Sequence, residues 1–180
     1  ISPLSKLLLE TAIDDRKELA AKALAAQELS VRLTTDPLDH FYEATALPNM
    51  AIDAGDFGKA KEYARALLKE APKYTKDWNF GNAIFNANIA LGRASLHDGD
   101  VNQAAKYLLA AGKTPWSCQL VSFGPKFGLA DQLLKHGRRK VVIEYLDEVS
   151  RFWGTDQLAE WKKQLVAGKE PDFGSFYLEE

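Results

Sequence analysis

This chain of 180 residues has one cysteine and no long uninterrupted run of apolar residues. Its one cysteine, Cys118, has no partner within the chain, so no internal disulfide can form. No apolar run approaches the roughly 20 residues that cross a bilayer, and we expect no membrane insertion. The 23 basic and 25 acidic residues nearly cancel, which disfavours a partner held by charge alone, such as nucleic acid.

Local motifs for catalysis or metal binding are also lacking. The three histidines, His40, His97 and His136, lie far apart, and no H-E-x-x-H spacing or G-x-S-x-G turn is present. We therefore predict no metal, no cofactor and no catalytic residue, and we interpret Cys118 as an ordinary loop thiol. The chain begins at Ile1 rather than at methionine, so the compartment stays open, with the cytoplasm slightly favoured over export.

Apolar residues recur at spacings of three and four, whereas sustained two-residue alternation is absent, which predicts an all-α fold. A long first helix covers 3–33, and the charged stretch 14–16 can divide it in two. Caps, prolines and glycines bound the later helices, which we place at 37–54, 57–71, 78–98, 101–112, 125–136, 138–153 and 156–167. Pro48 should kink the second helix, and 113–122 should form the longest loop.

Three glycines between helices place the same residue types in register. Gly55, Gly99 and Gly137 follow one another at intervals of 44 and 38 residues. Counted from each glycine, the recurring positions are Leu47, Leu91 and Leu129 eight before it, Ala60, Ala104 and Val142 five after it, and Tyr63, Tyr107 and Tyr145 eight after it. Small residues let antiparallel helices approach closely, so the register predicts stacked helical hairpins. An ordinary antiparallel bundle is the alternative, because it produces similar columns.

The middle unit resembles the tetratricopeptide repeat family, whose pattern is W-x2-L-G-x2-Y…A-x3-F…P. The matching residues are Leu91, Gly92 and Ala104 in that unit, Leu47, Ala60 and Pro72 in the first, and Leu129 in the third. Asn88, Ser95 and Leu108 replace the family's Trp, Tyr and Phe, and Pro48 takes the glycine position of the first unit. The resemblance spans about residues 38–153 and implies an α-α superhelix of stacked antiparallel hairpins, with about seven or eight helices.

This reading divides the chain into three parts. Residues 1–35 form an N-terminal helical cap, 36–154 form three tetratricopeptide-like hairpins, and 155–180 form a C-terminal capping helix with an extended tail. The tail carries three aromatic rings, Phe173, Phe176 and Tyr177, which we expect to dock on the last helix.

The predicted helix 78–98 carries a narrow polar strip between two apolar flanks. At about 100° per residue, five polar side chains fall within a sector of roughly 60°. They are Asn79, Asn82, Asn86, Arg93 and His97. The flanks are Trp78, Phe85, Ile89 and Leu96 on one side and Phe80, Ala83, Ala87, Leu91 and Ala94 on the other. A helix with two apolar flanks should pack against neighbours on both sides, which makes it central.

The tetratricopeptide resemblance implies that this helix lines a concave groove. It implies peptide capture by Asn82, Asn86 and Arg93, since carboxamides both donate to and accept from a peptide backbone and a guanidinium can hold a carboxylate. We predict a non-catalytic protein-interaction module with a protein or peptide partner, whose identity and oligomeric state stay open. Three alternatives are a strip that merely faces water or satisfies loop backbones, a small-ligand sensor or enzyme with a pocket at Asn86, Arg93 and His97, and a structural accessory domain of a longer chain.

Overall fold

The computed structural model describes residues 3–174, apart from the side chains of 3–10 and 13. Over that range every regular element is a helix and no strand is present, which confirms the all-α prediction. The α-helices are α1 Pro3–Leu33, α2 Pro37–Ala44, α3 Leu47–Asp53, α4 Phe57–Glu70, α5 Phe80–His97, α6 Val101–Gly112, α7 Cys118–Phe123, α8 Gly128–Lys135, α9 Arg139–Val149 and α10 Asp156–Val166. A short 3-10 helix, Ala71–Tyr74, follows α4.

The three glycines of the register form the same turn. Gly55, Gly99 and Gly137 have φ of +77°, +83° and +72°, a left-handed conformation that costs a side-chain-bearing residue about 1–2 kcal/mol. In each turn the amide of the next residue donates to the carbonyl five positions before it, at 2.8 to 2.9 Å. This is a Schellman ending, and it joins α3 to α4, α5 to α6 and α8 to α9 as hairpins.

Aspartate begins the second helix of the first two hairpins, as predicted. Asp56 Oδ1 accepts from the Lys59 amide and Asp100 Oδ1 from the Gln103 amide, both at 2.9 Å. Each bond satisfies one of the amides that a helix start leaves without an intrahelical partner. In the third hairpin Arg138 occupies the cap position and makes no such side-chain bond.

The residues that recur at fixed distances from the three turn glycines are packing positions. All three leucines and all three aliphatic residues after the glycines are buried, and Tyr145 is fully buried while Tyr63 and Tyr107 are half-buried. Gly92 shows how closely the hairpins approach, since a Cβ placed there would lie 2.3 Å from Leu129 Cδ2 of α8. A glycine at this point therefore brings two successive hairpins into contact.

Helix α5 lies at the centre of the molecule. It contacts α3 and α4 on one side and α6, α7 and α8 on the other. Its alanine-rich flank, led by Ala83 and Ala87, joins the core of the first hairpin, and Phe85 and Ile89 join the core formed with the later helices. The central position of this helix and its two predicted flanks are thereby confirmed, except for Trp78, which precedes α5 and is exposed.

Helix α1 packs against α3 of the first hairpin and is also linked to α4 by the carboxylate of Glu28. Glu28 Oε1 accepts from Lys59 Nζ at 2.8 Å and from Tyr63 Oη at 2.6 Å, both on α4. These two hydrogen bonds, with that of Lys59 the stronger influence, hold the pKa of Glu28 below its ordinary value. Tyr145, the third tyrosine that follows a turn glycine by eight residues, also makes a hydrogen bond to a distant segment. Its Oη donates to the carbonyl of Lys126, just before α8, at 3.1 Å.

Several predicted boundaries differ from the structure. The helix α1 is undivided at 14–16, and the predicted helix 37–54 is two helices, so the described residues contain more helices than predicted. Thr45 Oγ1 donates to the Phe41 carbonyl at 2.8 Å where α2 ends. Pro48 lies in the first turn of α3, where its missing N–H costs no helical hydrogen bond. The predicted helix 78–98 begins at Phe80 instead.

The chain between α6 and the third hairpin is also more ordered than predicted. Within the expected loop 113–122, Ser117 caps the short helix α7 by accepting from the Leu120 amide at 3.1 Å. At the other end, Thr155 caps α10, as predicted. Phe173 is buried and meets Trp161 of α10 edge to face with ring centroids 5.1 Å apart, which confirms its docking on the last helix. The rings of Phe176 and Tyr177 lie outside the described residues.

Candidate functional site

A cleft opens where the first helices of the three hairpins lie side by side. Helix α5 contacts α3 on one side and α8 on the other, and the cleft of about 300 Å³ lies among them. Its lining residues are Ile52, Phe57, Arg93, Leu96, His97, Gln132 and His136. The cleft thus combines three apolar side chains with four that can donate hydrogen bonds, and two of its residues, Arg93 and His97, belong to the predicted strip.

Arg93 is held in the cleft by an ion pair with the preceding hairpin. Its Nη1 lies 3.2 Å from Asp53 Oδ1 at the end of α3, and 20% of the Arg93 side chain and 35% of the Asp53 side chain are exposed. Partly exposed pairs of this kind contribute little to stability, about 0 to 1 kcal/mol.

His97 lies flat against an aromatic ring at the mouth of the cleft. Its imidazole stacks on Phe57 with centroids 3.7 Å apart and an interplanar angle of 15°. Its Nδ1 lies 3.5 Å from Asp98 Oδ1, and Asp98 also accepts from Lys61 Nζ at 2.7 Å. The hydrogen bond from Lys61, followed by the charge of Lys61 and the contact with His97, holds the pKa of Asp98 below its ordinary value. The imidazole is therefore fixed in orientation while 56% of the side chain stays exposed.

Asn79 and Asn82 are not available to a partner, which corrects the prediction for these two residues. Both are buried, with 4% and 5% of their surface exposed. Asn79 Nδ2 donates to Thr45 Oγ1 at 2.9 Å, and Asn82 Nδ2 donates to Asn79 Oδ1 at 3.0 Å and to Gln119 Oε1. Ser117 Oγ donates to Asn82 Oδ1 at 2.5 Å.

These contacts form one buried polar network, comprising Thr45, Asn79, Asn82 and Ser117. It joins the end of α2, the start of α5 and the start of α7, and it closes one end of the strip. The same end is sealed by backbone contact, since a Cβ on Gly81 would lie 2.3 Å from the Pro115 carbonyl oxygen. The structure therefore uses the first two asparagines to fix helix positions.

The open part of the strip comprises Asn86, Arg93 and His97. Asn86 is half-buried, and its carboxamide makes no hydrogen bond within residues 3–174. On α3, Asn49 and Asp53 are four residues apart and share a face; Asn49 Oδ1 is buried without a hydrogen-bond partner among the described residues. Neither Asn49 nor Asn86 lines the cleft that contains Arg93 and His97.

Phe57, Gln132 and His136 belong to the cleft but were missed by the sequence reasoning. The sequence did contain a pattern that relates α8 to Arg93. The position six residues before each turn glycine is polar in all three units, and its residues are Asn49, Arg93 and Asp131. That column indicates the last turns of α8 as a neighbour of Arg93. It could not have indicated Phe57, which lies just after a turn and reaches the cleft by stacking on His97.

The described residues were also searched for a metal site, a reactive thiol and a membrane-spanning helix. Among the residues whose side chains are described, no three His, Cys, Asp or Glu side chains come together as a metal site. Cys118 lies exposed at the start of α7. Within residues 3–174 no helix has a stretch both long and apolar enough to cross a bilayer.

Comparison with known proteins gives no match: no family model, no curated protein and no solved structure is significantly similar to this chain.

Proposed function

We propose that this chain is a non-catalytic protein-interaction module in which tetratricopeptide-like hairpins stack as a superhelix and bind a partner segment in the cleft at Arg93. The observation that carries the proposal is the convergence of Arg93, His97 and His136 beside apolar side chains in one cleft. The repeated glycine turns support the stacked arrangement, since hairpins with the same ending can stack with their first helices on one face.

The lining chemistry favours an extended segment that carries a carboxylate next to an aliphatic side chain. Arg93 can donate to the carboxylate, and the apolar residues Ile52, Phe57 and Leu96 can receive the aliphatic neighbour. Within the cleft, Gln132 can bind the peptide backbone, because its carboxamide offers a donor and an acceptor.

Selection of decapeptides from a display library on the immobilised protein tests this proposal. Selected peptides should share an acidic residue beside an aliphatic one, and Arg93→Gln should weaken their binding about 10-fold or more, because a charge-assisted hydrogen bond contributes about 1.5–3 kcal/mol. Asn86→Ala combined with Arg93→Ala should abolish capture and leave the melting temperature nearly unchanged.

Arg151→Gln is the matched control. Arg151 is exposed and paired with Glu148 at 2.7 Å, and it does not line the cleft, so its variant should bind as the wild type does. If Arg93→Gln binds the selected peptides with unchanged affinity, the cleft is not their site. If selection enriches no peptide, the module function is rejected.

A small-ligand sensor is the second candidate, because a cleft of about 300 Å³ reaches the lower size limit of small-molecule sites. Native mass spectrometry of the purified protein distinguishes the two functions. A co-purifying metabolite that Arg93→Gln loses and Arg151→Gln keeps would favour the sensor over the peptide-binding module.

A further inference from the structure

Four large apolar side chains are exposed at the end of the molecule where α5 begins. Trp116 and Phe123 are exposed to 68% and 77%, and Trp78 and Val121 to nearly half. Trp78 lies just before α5, and the carbonyl oxygen of Trp116 would lie 3.0 Å from a Cβ on Gly81 in the first turn. Val121 and Phe123 follow on α7, which packs on α5. We call these four side chains the end patch; the candidate cleft lies about 20 Å away, toward the other end of α5.

The backbone beneath the end patch is fixed by buried contacts. Ser117 Oγ, next to Trp116, donates to Asn82 Oδ1 of the buried polar network at 2.5 Å. Trp78 lies against the ring of Tyr42, with centroids 5.3 Å apart. The backbone that carries the exposed rings is therefore ordered before a partner binds, which lowers the entropy cost of association.

The end patch has the area and composition of the centre of a protein interface. Aromatic side chains present about 150–250 Å² each, so the three rings and one valine expose about 400–500 Å² of apolar surface. Patches of this size on a monomer mark interaction sites, and tryptophan is among the residues most enriched in binding hot spots. With a polar rim of similar area, the patch reaches the roughly 800 Å² per partner of a stable protein interface.

The side of the end patch next to Trp78 is acidic. Residues 36–39 and 70–77 meet there, since Tyr74 Oη donates to the Pro37 carbonyl at 3.0 Å. These two stretches carry four carboxylates and two lysines, which give a net charge of −2. The charged residues are Asp36, Asp39, Glu70, Lys73, Lys76 and Asp77.

The side of the end patch formed by α7 is basic. The stretch 113–126 carries two lysines, Lys113 and Lys126, and no carboxylate, which gives a net charge of +2. Glu148 of α9 lies 3.9 Å from Lys113, but it pairs more closely with Arg151, at 2.7 Å. The end patch is therefore apolar in the middle, with opposite net charges on its two sides.

We infer that the end patch is the contact surface of a homodimer, in which Trp116 and Phe123 of two copies pack together about a two-fold axis. A two-fold axis that runs between the two sides places the acidic side of one copy against the basic side of the other. A surface with a single sign of charge would repel its own copy, whereas this one is self-complementary. An anionic membrane would attract the basic side and repel the acidic side, so a second copy fits this surface better.

The affinity of this pairing is measured by sedimentation velocity over a series of protein concentrations. The patch variant is Trp116→Ser with Phe123→Ser, and its control is Leu33→Ser with Val166→Ser, two apolar residues of similar exposure at the ends of α1 and α10. The charge variant is Lys113→Glu with Lys126→Glu. Its control is Lys22→Glu with Lys163→Glu, which changes the net charge equally at two exposed lysines elsewhere. Circular dichroism confirms that all are folded.

The wild type and both controls should dimerise with the same affinity. The patch variant should raise the dimer dissociation constant at least about 10-fold, because loss of an aromatic hot spot counts once in each copy. The charge variant should raise it about 10-fold at low salt, since two acidic sides then face each other. A wild type that stays monomeric, or a patch or charge variant that associates as tightly as its control, overturns the inference. A monomeric wild type that binds phosphatidylserine vesicles through Trp116 and Phe123 also overturns it, and identifies a membrane as the partner of this surface.

Discussion

Replacement of Asn82 by alanine should destabilise the protein strongly, although this residue lies on the polar strip. The substitution removes a buried carboxamide that donates to Asn79 and Gln119 and accepts from Ser117. Gln119 is exposed and can bond to water, whereas Asn79 and Ser117 are buried and lose a partner. A buried polar group left without its partner costs about 1–3 kcal/mol.

The loss of a hydrogen-bond partner at Asn79 and at Ser117 determines the expected loss of stability. Two such groups cost about 2–6 kcal/mol, and alanine recovers roughly 0.5 kcal/mol through its higher helix propensity. We therefore expect the free energy of unfolding to fall by about 3 kcal/mol, which lowers the melting temperature by about 6–12 °C for a domain of this size. Urea denaturation followed by circular dichroism measures the first quantity and a thermal scan the second.

Asn86→Ala is the matched control, since it removes the same side chain from the same helix. Asn86 is half-buried and makes no hydrogen bond within the described residues, so its variant should stay within about 0.5 kcal/mol of the wild type. The reasoning is refuted if Asn82→Ala costs less than about 1 kcal/mol, or if the two alanine variants are equally destabilised.

Two further substitutions test the packing and the charge of the fold. Gly81→Ala should lower the melting temperature sharply, because its Cβ would lie 2.3 Å from the Pro115 carbonyl oxygen. Gly58→Ala is the control and should not lower it, since the nearest atom to its Cβ would be 3.4 Å away. Equal melting temperatures of the two variants would contradict the close contact at Gly81. Glu28 has a pKa lowered in the folded state, so its contribution is present above the unfolded pKa and is lost as pH falls through the folded one. Urea titrations of Glu28→Gln should therefore show a smaller stability loss between about pH 5 and pH 3 than the wild type, and an identical pH profile would exclude this role.

The sequence predicted the hairpin turns because their cause is local. A glycine with positive φ followed by a capping aspartate requires only neighbouring residues, and Gly55 and Gly99 behave as their chemistry predicts. The break before Pro48 was predicted as a kink within one helix. The actual break depends on Thr45, whose hydroxyl bonds back to Phe41 and then accepts from Asn79, and the second of these contacts spans 34 residues.

The candidate site was predicted in part for the same reason. A helical wheel shows which side chains share a face, and it placed Arg93 and His97 beside each other correctly. It cannot show what covers that face. Asn82 is covered by Ser117, 35 residues later in the chain, within a stretch whose lack of periodicity hid the helix α7. Burial of a polar residue by a distant segment is thus the step that local patterns do not contain.

The closure of one end of the strip limits how long a bound segment can be. From Gly81 to His97 helix α5 advances sixteen residues, which is about 24 Å at a rise of 1.5 Å per residue. A strand-like chain advances about 3.3 Å per residue, so a segment that starts at His97 and lies along α5 would meet the wall at Gly81 and Pro115 after about seven residues. The buried network therefore limits how far a bound segment can extend along α5. Recognition should depend on a short linear motif rather than on a long stretch of the partner.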